Sequence, residues 1–252
     1  MRNDVVDIRD FYQSRLGQVA RRLIGQRLRA TWPDLGGRTV LGLGYATPYL
    51  RQFRDEAERV LAIMPAAQGA LHWPPEGPNA VALADETELP LPDMSVDRVL
   101  LVHGLEHGDR LPDMLREIWR VMTGSGRLLA VVPNRRGIWA RTDRTPFGHG
   151  LPYSPSQLAR LLREHMFTPI RTAPALFVPP VRSRALLGAA PAWERVGARW
   201  FPAFGGVVVV EASKQIYAAT AVRSPRRRRA AILPFPQAAP RRLVLRSPST
   251  RP

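Results

Sequence analysis

Two histidines in this sequence are suited to moving a proton near neutral pH, because the unperturbed pKa of histidine is about 6.5. His103 follows a short apolar run, and His149 lies in a long polar segment, so both are candidate catalytic bases. His103–His107 also reads H-x-x-E-H, a zinc-binding pattern of some metalloproteases. That pattern needs a helix, whereas Gly104 interrupts this segment and a strand-like run precedes it. We therefore expect no metal site here.

The residues around His103 have a strand–helix–strand pattern. Residues 96–102 are mostly branched and apolar, which predicts a strand buried on both faces. Apolar side chains recur at helical spacing from Pro112 to Met122, and residues 128–132 read as another buried strand. Such a unit consists of two parallel strands joined by a crossover helix. His103 is therefore expected at the carboxyl end of a strand, where open α/β sheets bind ligands.

The same alternation continues on both sides of that unit. A doubly wound, Rossmann-like α/β sheet of seven strands with helices on both faces is therefore expected. Asp7 is the expected N-cap of the first helix, and Trp193 and Trp200 are expected to be buried in a later one. The other strands are predicted at residues 38–43, 59–64, 79–84, 169–178 and 206–218, and the other helices at residues 7–30, from Pro155 onward and at 182–201.

The first strand is followed by a turn of mostly small residues. A strand, a tight turn and a helix in succession place backbone N–H groups beside a ligand, so Gly42, Gly44, Tyr45 and Ala46 are candidate binding residues. The side chain of Tyr45 is expected to crowd or gate the turn. The turn does not fit a G-x-G-x-x-G dinucleotide fingerprint, since Thr47 occupies the third glycine position.

An ordered set of short motifs then carries a resemblance that covers roughly residues 35–170. The set resembles class I S-adenosylmethionine-dependent methyltransferases that act on small molecules. The resemblance implies S-adenosylmethionine as the cofactor, a small-molecule acceptor, and N-terminal helices at residues 7–30 on the substrate side. The matching pieces are Asp85, Leu89-Pro90-Leu91, Asp93, Ser95-Val96-Asp97, Leu105-Glu106-His107, and Arg120-Val121-Met122 through Gly126-Arg127-Leu128.

The cofactor-binding turn departs from the family's pattern of an acidic residue followed by three alternating glycines. Gly42 stands at the acidic position, and Gly44 is the one glycine that is kept. Ala46 and Pro48 occupy the other two glycine positions. Proline is compatible with the first turn of the helix that follows, so the turn can still form.

Three more positions are carried over from the resemblance. Met64 stands where the family has an acidic residue that binds the ribose hydroxyls, and a thioether cannot replace a carboxylate as an acceptor. Asp85 matches the acidic residue that accepts a hydrogen bond from the adenine amino group. Capping of a solvated turn is an equally good interpretation of Asp85. His103 completes the predicted site at the end of the fourth strand.

The formal net charge is +16, and the basic residues are 36 Arg and one Lys. Residues 223–252 contain nine Arg and no acidic residue, which leaves +7 for residues 1–222. We expect residues 1–222 to form the methyltransferase-like domain. Residues 223–252 are expected to be a disordered Arg- and Pro-rich tail, able to bind an anionic partner weakly.

The sequence contains no cysteine, no apolar run that could span a membrane and no secretory signal, which predicts a cytoplasmic protein. Methyl transfer from S-adenosylmethionine to a small-molecule acceptor is the leading functional hypothesis. The alternative is a non-catalytic methyltransferase-like domain, with a binding or regulatory role, that has lost cofactor affinity. Gly42 and Met64 favour that alternative. A third hypothesis is nucleic-acid binding through the tail.

Overall fold

The computed structural model describes residues 4–108 and 110–216. Its strands are β1 (Thr39–Gly44), β2 (Arg59–Pro65), β3 (Val81–Ala84), β4 (Val96–Val102), β5 (Met122–Pro133), β6 (Phe167–Ala175) and β7 (Val207–Lys214). Its α-helices are α1 (Val5–Gln13), α2 (Arg15–Thr31), α3 (Thr47–Leu50), α4 (Leu111–Val121), α5 (Pro155–Glu164), α6 (Arg184–Gly188) and α7 (Ala190–Trp200). The predicted tail, residues 223–252, and the predicted domain boundary at residue 222 lie outside the described residues.

The strands form one seven-stranded sheet in the order β3-β2-β1-β4-β5-β7-β6. Strands β1 to β5 are parallel, whereas β7 is antiparallel to both β5 and β6. The predicted seven-stranded α/β fold is therefore confirmed. Parallel strands end at one edge of a sheet, which brings the carboxyl ends of β1, β2 and β4 together.

Each face of the sheet has its own apolar core. Successive side chains of a strand point to opposite faces, and β4 follows this rule. Leu100 and Val102 pack with residues of α1 and α2, while Val99 and Leu101 pack with residues of α4 and α5. The helices thus cover both faces, as the sequence predicts. No helix among the described residues is long and apolar enough to cross a membrane.

The N-terminal segment is two helices rather than the single predicted one. The side chain of Asp4, and not that of Asp7, caps α1 by accepting from the backbone N–H of Val6 at 2.8 Å. Ser14 has an extended backbone and caps α2 by accepting from the N–H of Gly17 at 3.0 Å. The chain therefore turns at Ser14, because that hydroxyl starts a new helix one residue after α1 ends.

The prediction that Trp193 and Trp200 are buried is wrong, since they are 38% and 70% exposed. Helix α7 packs on the protein through small residues, and both Ala190 and Gly197 are buried. A side chain at Gly197 would clash with the ring of Phe177. The small residues Ala190 and Gly197 let α7 approach the body of the protein, and Trp193, which lies between them on the same side of the helix, is only partly covered.

Candidate functional site

A small cavity lies at the carboxyl ends of β1, β2 and β4. Its volume is about 10 Å³. A space of that size holds about one water molecule, whereas small-molecule sites measure roughly 300–1,000 Å³. The cavity is lined in part by Gly44, Pro65, Gln68, Glu86, His103 and Met114.

The turn after β1 is fixed against the end of β4. Gly44 has a φ of +77°, and a Cβ at this position would clash with the carbonyl oxygen of Val102. The backbone N–H of Tyr45 donates to that same oxygen at 2.8 Å. Gly44 is therefore required both by its backbone conformation and by the close approach of β4. The N–H of Tyr45 is already bonded within the chain.

Gly42 lies within β1 rather than in the turn where the sequence predicts it, and its lack of a side chain allows close packing. A Cβ on Gly42 would lie 2.5 Å from Cδ1 of Leu50 and 2.9 Å from Cβ of Ala46. Both Leu50 and Ala46 are fully buried. A side chain at position 42 would therefore require Leu50 and Ala46 to shift.

His103 is the centre of a buried hydrogen-bonded chain of four side chains. Its Nε2 lies 2.8 Å from the hydroxyl of Tyr12, which lies 2.9 Å from the hydroxyl of Tyr49. On the other side of the ring, Nδ1 lies 3.1 Å from Oε1 of Glu106. We call these residues, Tyr49, Tyr12, His103 and Glu106, the tyrosine–histidine chain. All four are at most 4% exposed.

The direction of the hydrogen bonds follows from the charge state of Glu106, because an ionised carboxylate can only accept. Burial raises the pKa of Tyr12 well above its ordinary value, and burial likewise raises the pKa of Tyr49, so both hydroxyls keep their protons. With Glu106 ionised, Nδ1–H of His103 donates to it, Nε2 accepts from the Tyr12 hydroxyl, and that hydroxyl accepts from Tyr49.

Aromatic rings enclose the tyrosine–histidine chain. Tyr45 stacks on Tyr12 with ring centroids 5.7 Å apart and an interplanar angle of 14°. Phe147 lies against His103 at 4.9 Å between centroids. Burial raises the pKa of Tyr45 to about 12, so its hydroxyl is neutral at physiological pH. Met64 belongs to the same buried cluster as these tyrosines. We call Tyr12, Tyr45, Tyr49 and Phe147 the aromatic plug.

His103 has a φ of +53°, an uncommon conformation for a residue with a side chain. Residues held in such conformations cluster at functional sites. Residues 103–107 form turns rather than a helix, so the H-x-x-E-H pattern lacks the geometry of a zinc site. Among the described residues, no group of three or more His, Asp or Glu side chains could hold a metal ion.

Asp85 and its neighbour Glu86 lie in different environments. The Asp85 carboxylate accepts from the backbone N–H of Thr87 at 2.8 Å and from the Thr87 hydroxyl at 2.7 Å, and so caps the turn. Glu86 is buried and lines the cavity together with Gln68. The Oε1 atom of Gln68 is buried and has no hydrogen-bond partner among the described residues. A polar ligand atom could therefore bond there.

His149 lies in a different cavity from His103. Its Nε2 lies 2.8 Å from the carbonyl oxygen of Asp143, in the segment after β5. It borders a cleft of about 980 Å³ between α1, α2 and the segments after β5 and β6. The structure thus does not bring the two predicted histidines together. Charged and titratable residues that line the cleft include Asp7, Asp10, Arg15, Arg144, His149 and Arg182.

Sequence reasoning missed Tyr12, Tyr49, Glu86 and Gln68. One signal was available for Tyr12, which follows Ile8 by four residues and so shares the buried face of α1. The sequence contains no comparable signal for Gln68, because its burial depends on how the segment after β2 folds back. The candidate residues Gly42, Gly44, Tyr45, Ala46, Met64 and His103 all lie close to the cavity or within the buried cluster beside it.

Residues 40–130 match the model of a family described as a methyltransferase domain. No curated protein sequence matches the chain significantly. The fold is shared with an S-adenosylmethionine-dependent methyltransferase of Thermotoga maritima, with 15% identity, a TM-score of 0.58, and coverage of 84% of this chain and 96% of that one. A methyltransferase of Archaeoglobus fulgidus has 22% identity, a TM-score of 0.54, and coverage of 77% and 94%.

A third similar structure is 1,6-didemethyltoxoflavin-N1-methyltransferase of Burkholderia thailandensis, with bound 1,6-didemethyltoxoflavin and S-adenosylhomocysteine. It has 19% identity, a TM-score of 0.50 and coverage of 82% of each chain. At such identities the likeness establishes the shared fold. The family match and the fold agree on the same segment of the chain, from β1 into β5.

Proposed function

We propose that this chain, whose residues 40–130 match the model of a methyltransferase domain, transfers a methyl group from S-adenosylmethionine to a small-molecule acceptor. One observation carries the proposal. The cavity at the carboxyl ends of β1, β2 and β4 is lined by Gly44, Glu86 and His103, which all lie inside the matched segment. Open α/β sheets bind ligands at this edge. The bound S-adenosylhomocysteine of the Burkholderia thailandensis enzyme supports the same cofactor class.

The closed site does not accommodate that cofactor. A cavity of about 10 Å³ is far too small, and Met64 cannot accept hydrogen bonds from ribose hydroxyls. Cofactor binding therefore requires the site to open. Helix α1 is the element best placed to move, because its Tyr12 is bonded to His103, which lines the cavity, and the chain leaves helical geometry at Ser14. Closing elements of this kind often turn on a few residues at element ends.

His103 is the candidate base of the opened site. Withdrawal of α1 would free Nε2, while Glu106 would continue to hold Nδ1–H and so keep the lone pair of Nε2 directed outward. A neutral imidazole held in this way can accept a proton from an acceptor hydroxyl or amine. His149 and the arginines of the large cleft would then contact the acceptor away from the reacting atom. The cofactor-contacting role of Gly42, Gly44, Tyr45, Ala46, Met64, Asp85 and His103 is part of this proposal.

A second candidate function is a non-catalytic binding or regulatory role. The observation that favours it is the tyrosine–histidine chain, which bonds both ring nitrogens of His103 within the protein. Such a closed arrangement stabilises a fold without any ligand. In this case the side chains of the aromatic plug serve to stabilise the fold. Met64, which stands at the family's ribose-binding position, is then a residue of the hydrophobic core. The cytoplasmic location stays a prediction under either function.

Calorimetric titration with S-adenosylmethionine tests the first function. We expect weak binding to the native protein and tighter binding, by roughly tenfold or more, to Met64→Asp, because a charge-assisted hydrogen bond contributes about 1.5–3 kcal/mol. Met94→Asp is the matched control, since Met94 is 64% exposed on the surface. It should leave the affinity unchanged. If neither the native protein nor Met64→Asp binds at millimolar cofactor, the non-catalytic function is the better conclusion.

A further inference from the structure

Helix α7 and the turn after it expose an unusual concentration of large apolar side chains. Trp193, Val196 and Trp200 are spaced three and four residues apart, and so lie on one side of the helix. Phe201 and Phe204 follow directly. We call these five residues the aromatic face. Their exposed fractions are 38% for Trp193, 51% for Val196, 70% for Trp200, 58% for Phe201 and 58% for Phe204.

Contacts between α7 and the segment after β6 fix the orientation of the helix. The Glu194 carboxylate accepts from the backbone N–H of Leu176 at 3.2 Å and also from that of Phe177. The Cα of Gly197 abuts the Phe177 ring so closely that no side chain would fit between them. These contacts fix the rotation of the helix, so the tryptophans cannot turn inward. Large exposed apolar patches on a protein surface mark interaction sites.

The exposed charges that residues 176–206 contribute are all positive. Arg182, Arg184, Arg195 and Arg199 are all exposed. Glu194 is the one acidic residue between residues 176 and 206, and it is engaged with the backbone of residues 176 and 177. The whole chain is basic, with a net charge of +16. Whatever binds the aromatic face must therefore present both negative charge and apolar surface.

We propose that the aromatic face docks on the surface of an anionic lipid bilayer. Tryptophan and phenylalanine partition into the boundary between headgroups and acyl chains, and arginines beside them bind lipid phosphates. Helix α7, with 11 residues, would lie in the plane of the surface. A second copy of the chain fits this face less well, because it would place the same four arginines opposite each other. Nucleic acid would satisfy the arginines but has no acyl layer to receive Val196 and the phenylalanines.

Co-sedimentation of the full chain with lipid vesicles tests the proposal. The vesicles are phosphatidylcholine alone, or phosphatidylcholine mixed with phosphatidylglycerol. We expect binding to the mixed vesicles and a blue shift of tryptophan fluorescence on binding. Trp200→Ser and Phe204→Ser should each weaken binding by about tenfold, as expected for one large apolar side chain withdrawn from an apolar layer.

Two controls separate the aromatic face from other sources of binding. Leu83→Ser changes a side chain that is 53% exposed in β3, at the other edge of the sheet, and should bind like the native protein. Replacing Arg226, Arg227, Arg228 and Arg229 by Gln tests the basic tail alone. All variants change exposed or terminal positions, and matching urea unfolding curves would show that the fold is intact.

Results of three kinds, against lipid binding, for the tail or for another partner, would overturn the proposal. The first is an absence of binding to the mixed vesicles. The second is full binding by Trp200→Ser and Phe204→Ser combined with loss of binding when the tail arginines are replaced, which would assign the lipid contact to the tail. The third is a native dimer that becomes a monomer in Trp200→Ser, or RNA binding that depends on the aromatic face while vesicles do not bind.

Discussion

The hydroxyl of Tyr12 lies 2.8 Å from Nε2 of His103 and so ties α1 to the residue that follows β4. The two residues are 91 positions apart in the chain. Tyr12 is thereby bonded to one of the residues that line the cavity at the carboxyl ends of β1, β2 and β4. Under the proposed function, the position of α1 determines whether His103 is enclosed in the core or faces an acceptor as a base.

Removing only the hydroxyl of Tyr12 tests the energetic importance of its two hydrogen bonds. Tyr12→Phe keeps the ring but leaves both the buried Nε2 of His103 and the buried hydroxyl of Tyr49 without this partner. The free energy of unfolding should fall by roughly 1–3 kcal/mol, the cost of an unsatisfied buried polar group. Urea unfolding at neutral pH measures it.

Tyr45→Phe is the matched control for that measurement. The contact of Tyr45 with Tyr12 is a ring stack, which the phenylalanine keeps. This variant should therefore lose less stability than Tyr12→Phe. Equal losses in the two variants would mean that the hydrogen bonds of the Tyr12 hydroxyl contribute no more to stability than the hydroxyl of Tyr45 does.

The raised pKa of Tyr45 predicts how stability changes with pH. Its ordinary pKa of 10.0 rises to about 12 in the folded protein. Below pH 10 the phenol is neutral in both states, so its full contribution is present. Between pH 10 and 12 the unfolded chain releases the proton while the folded protein keeps it, so the free energy of unfolding must fall as pH rises.

Urea unfolding across this pH window, for the native protein and Tyr45→Phe, isolates the contribution of the phenol. The native curve should fall more steeply above pH 10 than the variant's curve. Parallel curves would show that Tyr45 titrates normally and is not buried.

The central strands give a prediction about stability alone. Leu101 is 1% exposed in β4 and packs with Leu115 and Ile118 of α4. Leu101→Ala should cost about 2–5 kcal/mol, whereas Leu83→Ala, in edge strand β3, should cost far less. Thermal or urea unfolding compares the two variants. A loss below about 1 kcal/mol for Leu101→Ala would contradict the packing of the sheet.

The sequence predicts the fold well because buried strands and amphipathic helices leave local patterns. The run at residues 96–102 and the helical spacing from Pro112 both correspond to observed elements, β4 and α4. The exposure of Trp200 is not local information. It depends on Glu194 and Gly197 meeting the segment after β6, and the apolar character of tryptophan alone predicts burial.

The site is predicted only in part for the same reason. Gly44 and His103 are found from the pattern of strand and turn, since Gly44 is the last residue of β1 and His103 directly follows β4. The hydrogen bond between Tyr12 and His103 is a contact between distant segments, which no motif encodes. Residues such as Gln68 and Glu86 enter the cavity through the tertiary arrangement of their loops.

Gly42 provides a test of whether close packing requires a glycine at this position. In Gly42→Ala the added methyl group would lie 2.9 Å from Cβ of Ala46, so we expect a loss of about 1–3 kcal/mol from overpacking. Gly188→Ala is the control, because an added Cβ there meets nothing within 4 Å. Urea unfolding should show no loss for Gly188→Ala. A neutral Gly42→Ala would mean that close packing does not explain the glycine.

The most direct test of the proposed function is the affinity of S-adenosylmethionine for Tyr12→Ala compared with the native protein. If α1 closes a working cofactor site, removal of the Tyr12 ring increases the population of the open state that can bind. The apparent affinity of the protein rises with that population. Calorimetry should show weak binding to the native protein and a Kd about tenfold lower for Tyr12→Ala. Absence of binding by both proteins at millimolar S-adenosylmethionine, with Tyr12→Ala still folded, would contradict the proposal.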